Sequence, residues 1–122
     1  MARVFLDANF VIETVGLRKS QTEGMKLEGN DVFVAALTIH IMCYAFKIKV
    51  PDKRITKFAN QTHVVNLSEK IVELSLLGPT SDFEDNVQLH SANSSKADFF
   101  VTNDEELLDM GIFGKTKIVN KI

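Results

Sequence analysis

The chain has 122 residues, 45% of them hydrophobic and 25% charged, with one cysteine and a net charge of −2. Such a length suits one domain spanning residues 1–122, and the composition excludes a disordered chain and a polycation built to coat nucleic acid. Cys43 alone makes neither an intramolecular disulfide nor a cysteine-based zinc cluster. No apolar run approaches the ~20 residues of a membrane helix. The opening MARVFLDANF lacks the basic start, apolar stretch and cleavage site of a signal peptide. A cytoplasmic protein in a reducing compartment, with no membrane partner, is expected.

Val4-Phe5-Leu6 reads as a short buried strand that ends in an acid, Asp7. Asn9 to Val15 suits a short helix stopped by Gly16, and Ser20-Gln21-Thr22-Glu23 fits a helix start with a stop at Gly29-Asn30. Val32 to Leu37 is a second apolar strand, with Thr38 as the expected N-cap of the helix that follows. Pro51 breaks the pattern, and Lys53 to Asn60 forms another short helix. Val64-Val65 is a weak strand, followed by a helix from Ser68 to Leu77 and a turn at Gly78-Pro79-Thr80. Ser81-Asp82-Phe83-Glu84 and Thr102-Asn103-Asp104-Glu105 both fit capping boxes. Between them lies a strand at Asp98-Phe99-Phe100-Val101, and Lys117-Ile118-Val119 makes a last one. Strands alternating with helices predict an α/β fold, a three-layer α/β/α sandwich around a parallel sheet.

In such folds ligands bind outside the carboxyl ends of the strands. Asp7 ends the first strand, Asp104 follows the strand at 98–101 by two residues, and Asp85 sits in a first helical turn. Crowded carboxylates repel, and an oxygen-only set suits Mg²⁺ or Mn²⁺. Such an ion can orient a phosphodiester and activate water. Acids in first helical turns are also favoured simply by the helix dipole. Glu84 and Glu105 therefore read first as capping residues, and spacing alone leaves Asp85 and Asp104 open between helix start and function. Asp7 has no such explanation. Asn9 reads as a turn residue or as a group orienting Asp7.

Charge is unevenly placed. Lys47, Lys49, Lys53, Arg54 and Lys57 face one acid, Asp52, between residues 46 and 57. From 82 to 109 eight acids face one base, Lys96. The basic stretch reads as a solvated face or an RNA-backbone contact, with Phe46 and Phe58 the only aromatics noted beside it. His40, His63 and His90 show no paired ligand spacing, Cys43 reads as a packed thiol, and neither GxxxxGK[ST] nor GxGxxG occurs. A phosphoacceptor receiver domain fits the length but lacks its acidic pair after the first strand.

VFLDANFVIE near the start and DFEDNVQLHSANSSKADFFVTNDEELL near the end carry a resemblance to PIN-domain nucleases, above all the small VapC-type toxins of toxin–antitoxin pairs. Asp7-Ala8-Asn9 matches a D-x-N pattern, Asp85 a D-x-x-Q setting, and Thr102-Asn103-Asp104 a T-x-D motif. The resemblance implies a Mg²⁺- or Mn²⁺-dependent endoribonuclease. Asp7, Asp85 and Asp104 would be the metal ligands, with Asn9 and Thr102 as supporting polar residues. It further implies an RNA substrate, a homodimer and a cognate antitoxin. One departure stands out: the family's second acid, a glutamate in a T-x-x-E setting, is replaced by Ile41 in Thr38-Ile39-His40-Ile41. His40, Glu13, Glu84 or Glu105 are the candidates to compensate. Two functions therefore remain open: a metal-dependent ribonuclease, or a PIN-like module that has lost catalysis and binds or regulates.

Overall fold

The computed structural model describes residues 1–17 and 29–122; the expected helix start at Ser20–Glu23 lies outside the described residues. In chain order the elements are β1 (Arg3–Leu6), α1 (Ala8–Phe10) and a π-helical turn (Val11–Val15), then β2 (Asp31–Ala35), α2 (Ala36–Ala45), α3 (Lys53–Gln61) and β3 (His63–Val65). There follow α4 (Glu69–Leu77), α5 (Phe83–Ser94), β4 (Phe99–Val101), α6 (Glu105–Met110), β5 (Ile112–Phe113) and β6 (Thr116–Val119). The strands form one sheet in the order β3-β2-β1-β4-β6-β5, all parallel except the β5–β6 hairpin. The two residues of β5 carry no readable alternation in the sequence; the hairpin turns at Gly114, whose φ of +62° suits glycine.

The near-continuous apolar strands are explained by burial on both faces of the sheet. Val4 and Leu6 join Val32, Val34 and Val101 on one face, beneath Phe10, Val11, Met42, Ile55 and Phe58 of the covering helices. Phe5, Phe33, Ala35, Phe100 and Ile118 face the other way, beneath Leu89, Ala92 and Leu107. The period of two along Val4-Phe5-Leu6 thus feeds two separate cores. The Phe5 and Phe100 rings stack at 5.5 Å. Leu6 is 1% exposed, so Leu6→Ala should cost about 2–5 kcal/mol.

Local start signals differ from expectation in a consistent way. Thr38 does not cap α2; Ala35 holds that position, and Thr38 lies fully buried inside the helix. Neither Ser81 nor Thr102 is an N-cap. Asp82 caps α5 by accepting from the Asp85 N–H at 3.0 Å, and Asp104 caps α6 by accepting from Glu106 N–H at 2.9 Å. Asp and Ser compete closely as caps, so a run such as Ser81-Asp82 fixes the helix start only to within a residue. Asp52 and Ser68 cap α3 and α4.

Candidate carboxylate site

The strand order places the site. From β1 the chain moves outward to β2 and β3, then returns to the other side of β1 as β4. The reversal opens a crevice at the carboxyl ends of β1 and β4, where α/β sheets bind ligands. Asp7 and Thr102 are the first residues beyond those two strands.

Asp7 continues the ladder through its N–H, which donates to the Val101 carbonyl at 3.0 Å, and its own carbonyl accepts from Val11 N–H at 3.0 Å. Its side chain is therefore held rigidly, 1% exposed, and makes no helix-capping bond. Oδ2 accepts from the Thr102 hydroxyl at 2.8 Å. That hydroxyl oxygen in turn accepts from Asp104 N–H at 3.0 Å, so Thr102 links the first acid to the last. The partner of Asp7 is Thr102 rather than Asn9, which is exposed at the cavity's edge.

Asp85 arrives from α5. Its backbone N–H is tied to the Asp82 cap, while Gln88, one turn on along the same helix face, reaches the first helix. Gln88 Oε1 accepts from Ala8 N–H at 3.2 Å, and Nε2 donates to Thr38 Oγ1 at 3.2 Å. Both Gln88 and Thr38 are buried. This polar bridge joins α5 to α1 and α2 and sets Asp85 against Asp7. Sequence reasoning met Gln88 only as part of the D-x-x-Q spacing and took Thr38 for a cap; a buried amide paired with a buried hydroxyl has no local signature.

A cavity of about 80 Å³ lies between these elements, lined by Asp7, Ala8, Asn9, Ile41, Asp82, Glu84, Asp85 and Gln88. It exceeds what one water needs. Burial, first, and then the Asp85 and Asp104 charges push the Asp7 carboxyl up to about 7, against the lowering bond from Thr102. Asp85 is raised to about 6 by partial burial, then by the charges of Asp82, Asp104, Glu84 and Glu106. Raised pKa values in a cleft mark a functional-site candidate. Asp104 stands outside the lining and reaches Asp7 through Thr102 and through its field.

Ile41 lines the cavity, so the missing fourth acid is missing from this wall. Of the four candidates to compensate, Glu84 alone lines the cavity; His40 and Glu105 are exposed, and Glu13 accepts from Asn103 Nδ2 at 3.4 Å. Among the described residues no three His, Cys, Asp or Glu side chains are gathered closely enough to hold a metal ion on their own. The cavity is lined by four acids, Asp7, Asp82, Glu84 and Asp85, with the amides of Asn9 and Gln88 beside them; Asp82 is engaged as the α5 cap, and Asp7 and Asp85 are the two whose ionised forms are disfavoured. That set fits Mg²⁺, which commonly takes one or two carboxylates and completes its shell with water and phosphate oxygens.

No family model matches the sequence. No curated protein matches it either. Among solved structures, it is similar to a chain of the VapBC2 crystal structure from Rickettsia felis, bound to a DNA fragment from their promoter. The TM-score is 0.65 at 14% identity, over 98% of this chain and 98% of that one. Among the described residues no helix is long and apolar enough to cross a membrane. The architecture of this chain, a mostly parallel six-stranded sheet flanked by helices, is a PIN-like α/β/α fold.

Proposed function

We propose that the protein is a divalent-metal-dependent endoribonuclease and the toxin component of a toxin–antitoxin pair. The observation that carries this reading is the meeting of Asp7 and Asp85 on one cavity at the sheet's switch point, each with its ionised form disfavoured. Two such groups call for a counter-charge. Asp7 and Asp85 would hold Mg²⁺ or Mn²⁺, with Asp104 contributing through its charge and Thr102. When bound, the ion would neutralise these acids, polarise a phosphate oxygen and lower the pKa of water. Hydrolysis exchanges one P–O bond for another: water oxygen enters, and the departing ribose oxygen takes a proton. Thr102 holds the Asp7 carboxylate in one orientation throughout, and Gln88 keeps α5 at its distance. Asn9, exposed at the rim, would meet substrate.

RNA as substrate, the homodimer and a cytoplasmic setting rest on the motif resemblance. An antitoxin partner is further supported by the VapBC2 complex in which the similar chain occurs. Ile41 favours one alternative: a PIN-like module with impaired or lost catalysis that serves as a binding or regulatory protein. RNA cleavage in Mn²⁺ by wild type and Asp7→Asn separates the two. Cleavage by wild type alone, abolished by EDTA, supports the nuclease; equal, EDTA-insensitive background from both supports the binding module.

A further inference from the structure

An acidic rim repels RNA, so a nuclease built on it needs positive charge elsewhere to hold its substrate. The longest run of positive charge in the sequence, Lys47 to Lys57, lies in the loop after α2 and along α3. Its one acid, Asp52, is already engaged: it caps α3 and pairs with Arg54 at 2.7 Å. On α3 the buried residues are Ile55 and Phe58, which leaves Lys53, Thr56, Lys57 and Asn60, spaced i, i+3, i+4 and i+7, exposed on a common face. They line a groove of about 460 Å³. Lysine, threonine and asparagine are donors typical of phosphate and sugar contacts.

The aromatic component is not the one expected from sequence. Phe58 is buried and Phe46 packs against the core. Tyr44 instead stands 83% exposed. It lies three residues beyond Ile41 on α2, so the two are surface neighbours separated by about 4.5 Å along the axis. Ile41 lines the carboxylate cavity. In chain order Ile41 at the cavity is followed by Tyr44 on α2 and by the exposed Lys47 and Lys49 in the loop that leads to the α3 groove. A bare aromatic followed by a lysine-lined groove is how single strands are held without sequence readout.

We infer that Tyr44, the 46–52 loop and the exposed face of α3 form a binding track for single-stranded RNA leaving the carboxylate cavity. The inference rests on the proposed nuclease activity for its substrate class, but its test does not need cleavage. Fluorescence anisotropy in EDTA with an oligouridylate longer than α2 reads binding alone. Lys53→Gln/Lys57→Gln should weaken binding about tenfold and reduce the slope of log Kd against log salt by about 1.4, at about 0.7 per phosphate contact on a single strand. Tyr44→Ala should weaken it about fivefold or more through lost stacking. Because all three side chains are exposed, melting temperatures should not move. In Mn²⁺ the lysine variant should raise KM for the long RNA at unchanged kcat and leave cleavage of a dinucleotide unaltered. Unchanged affinity and salt slope in both variants would overturn the track. So would tighter binding of polyglutamate or phosphatidylserine vesicles than of oligouridylate, which would assign the surface to an acidic protein or a membrane. If binding follows the expected pattern while wild type cleaves nothing, the track stands and the nuclease reading falls.

Discussion

Asp52 and Asp7 are the same side chain in opposite circumstances. Asp52, partly exposed at the start of α3, accepts from Arg54 through backbone and guanidinium, and these bonds lower its pKa to about 2. Asp7, buried at the end of β1, has one hydroxyl as its side-chain partner and carboxylates for neighbours, and burial drives it to about 7. One region satisfies its charge within three residues of chain. The other brings like charges together from three distant segments, and among the described residues no Lys, Arg or His pairs with them. A fold carries such a cost where the group has work to do.

The largest expected effect comes from removing that contrast. Asp7→Asn should lower metal-dependent RNA cleavage by at least about 100-fold, measured with Mn²⁺ under saturating substrate. The same change should alter the pH dependence of stability. In the metal-free wild type Asp7 is protonated in both folded and unfolded states below its ordinary value of 3.8. Between 3.8 and about 7 only the unfolded state is ionised, so stability falls as pH rises, and above 7 the full penalty remains. That penalty is on the order of 4 kcal/mol at 1.36 kcal/mol per unit. Urea titrations at pH 5 and pH 8 should show Asp7→Asn losing this slope, whereas a slope equal to wild type would deny the shift.

A second effect sharpens the comparison by supplying the counter-charge. Saturating Mn²⁺ should raise the wild-type melting temperature, with about 2.7 kcal/mol expected at a hundredfold excess over Kd. Asp85→Asn should stabilise the metal-free protein by relieving repulsion and should lose the Mn²⁺ response. No change in either quantity would make Asp85 only a helix-start acid. Next, Ile41→Glu adds a carboxylate to the cavity wall and should increase Mn²⁺-dependent cleavage about tenfold or more, read by initial rates. Smallest of all, Asp52→Asn should shift the melting temperature no more than an ordinary surface substitution.

Most of the architecture was legible because the strands carry their own signal. Val4-Phe5-Leu6 and Phe99-Phe100-Val101 are apolar throughout, which is what burial on both faces requires. Caps were legible only to within a residue, since Ser81 and Asp82 offer chemically similar oxygens and tertiary packing chooses between them. Thr38 was misread because a hydroxyl before an apolar helix looks like a cap until Gln88, fifty positions away, is brought to it. For the acids the sequence supplied the residues and their order. It did not show that Asp7 and Asp85 line the cavity while Asp104 lies behind Thr102. That arrangement depends on where α5 and α6 begin, a property of the assembled sheet.

The most direct measurement is the titration of the Asp7 side-chain carboxyl by carbon NMR, without metal and with Mg²⁺. A midpoint near 7 in the free protein, moving several units toward acid when Mg²⁺ is added, is the expected result. A midpoint near the ordinary carboxylate value that Mg²⁺ leaves in place would contradict it.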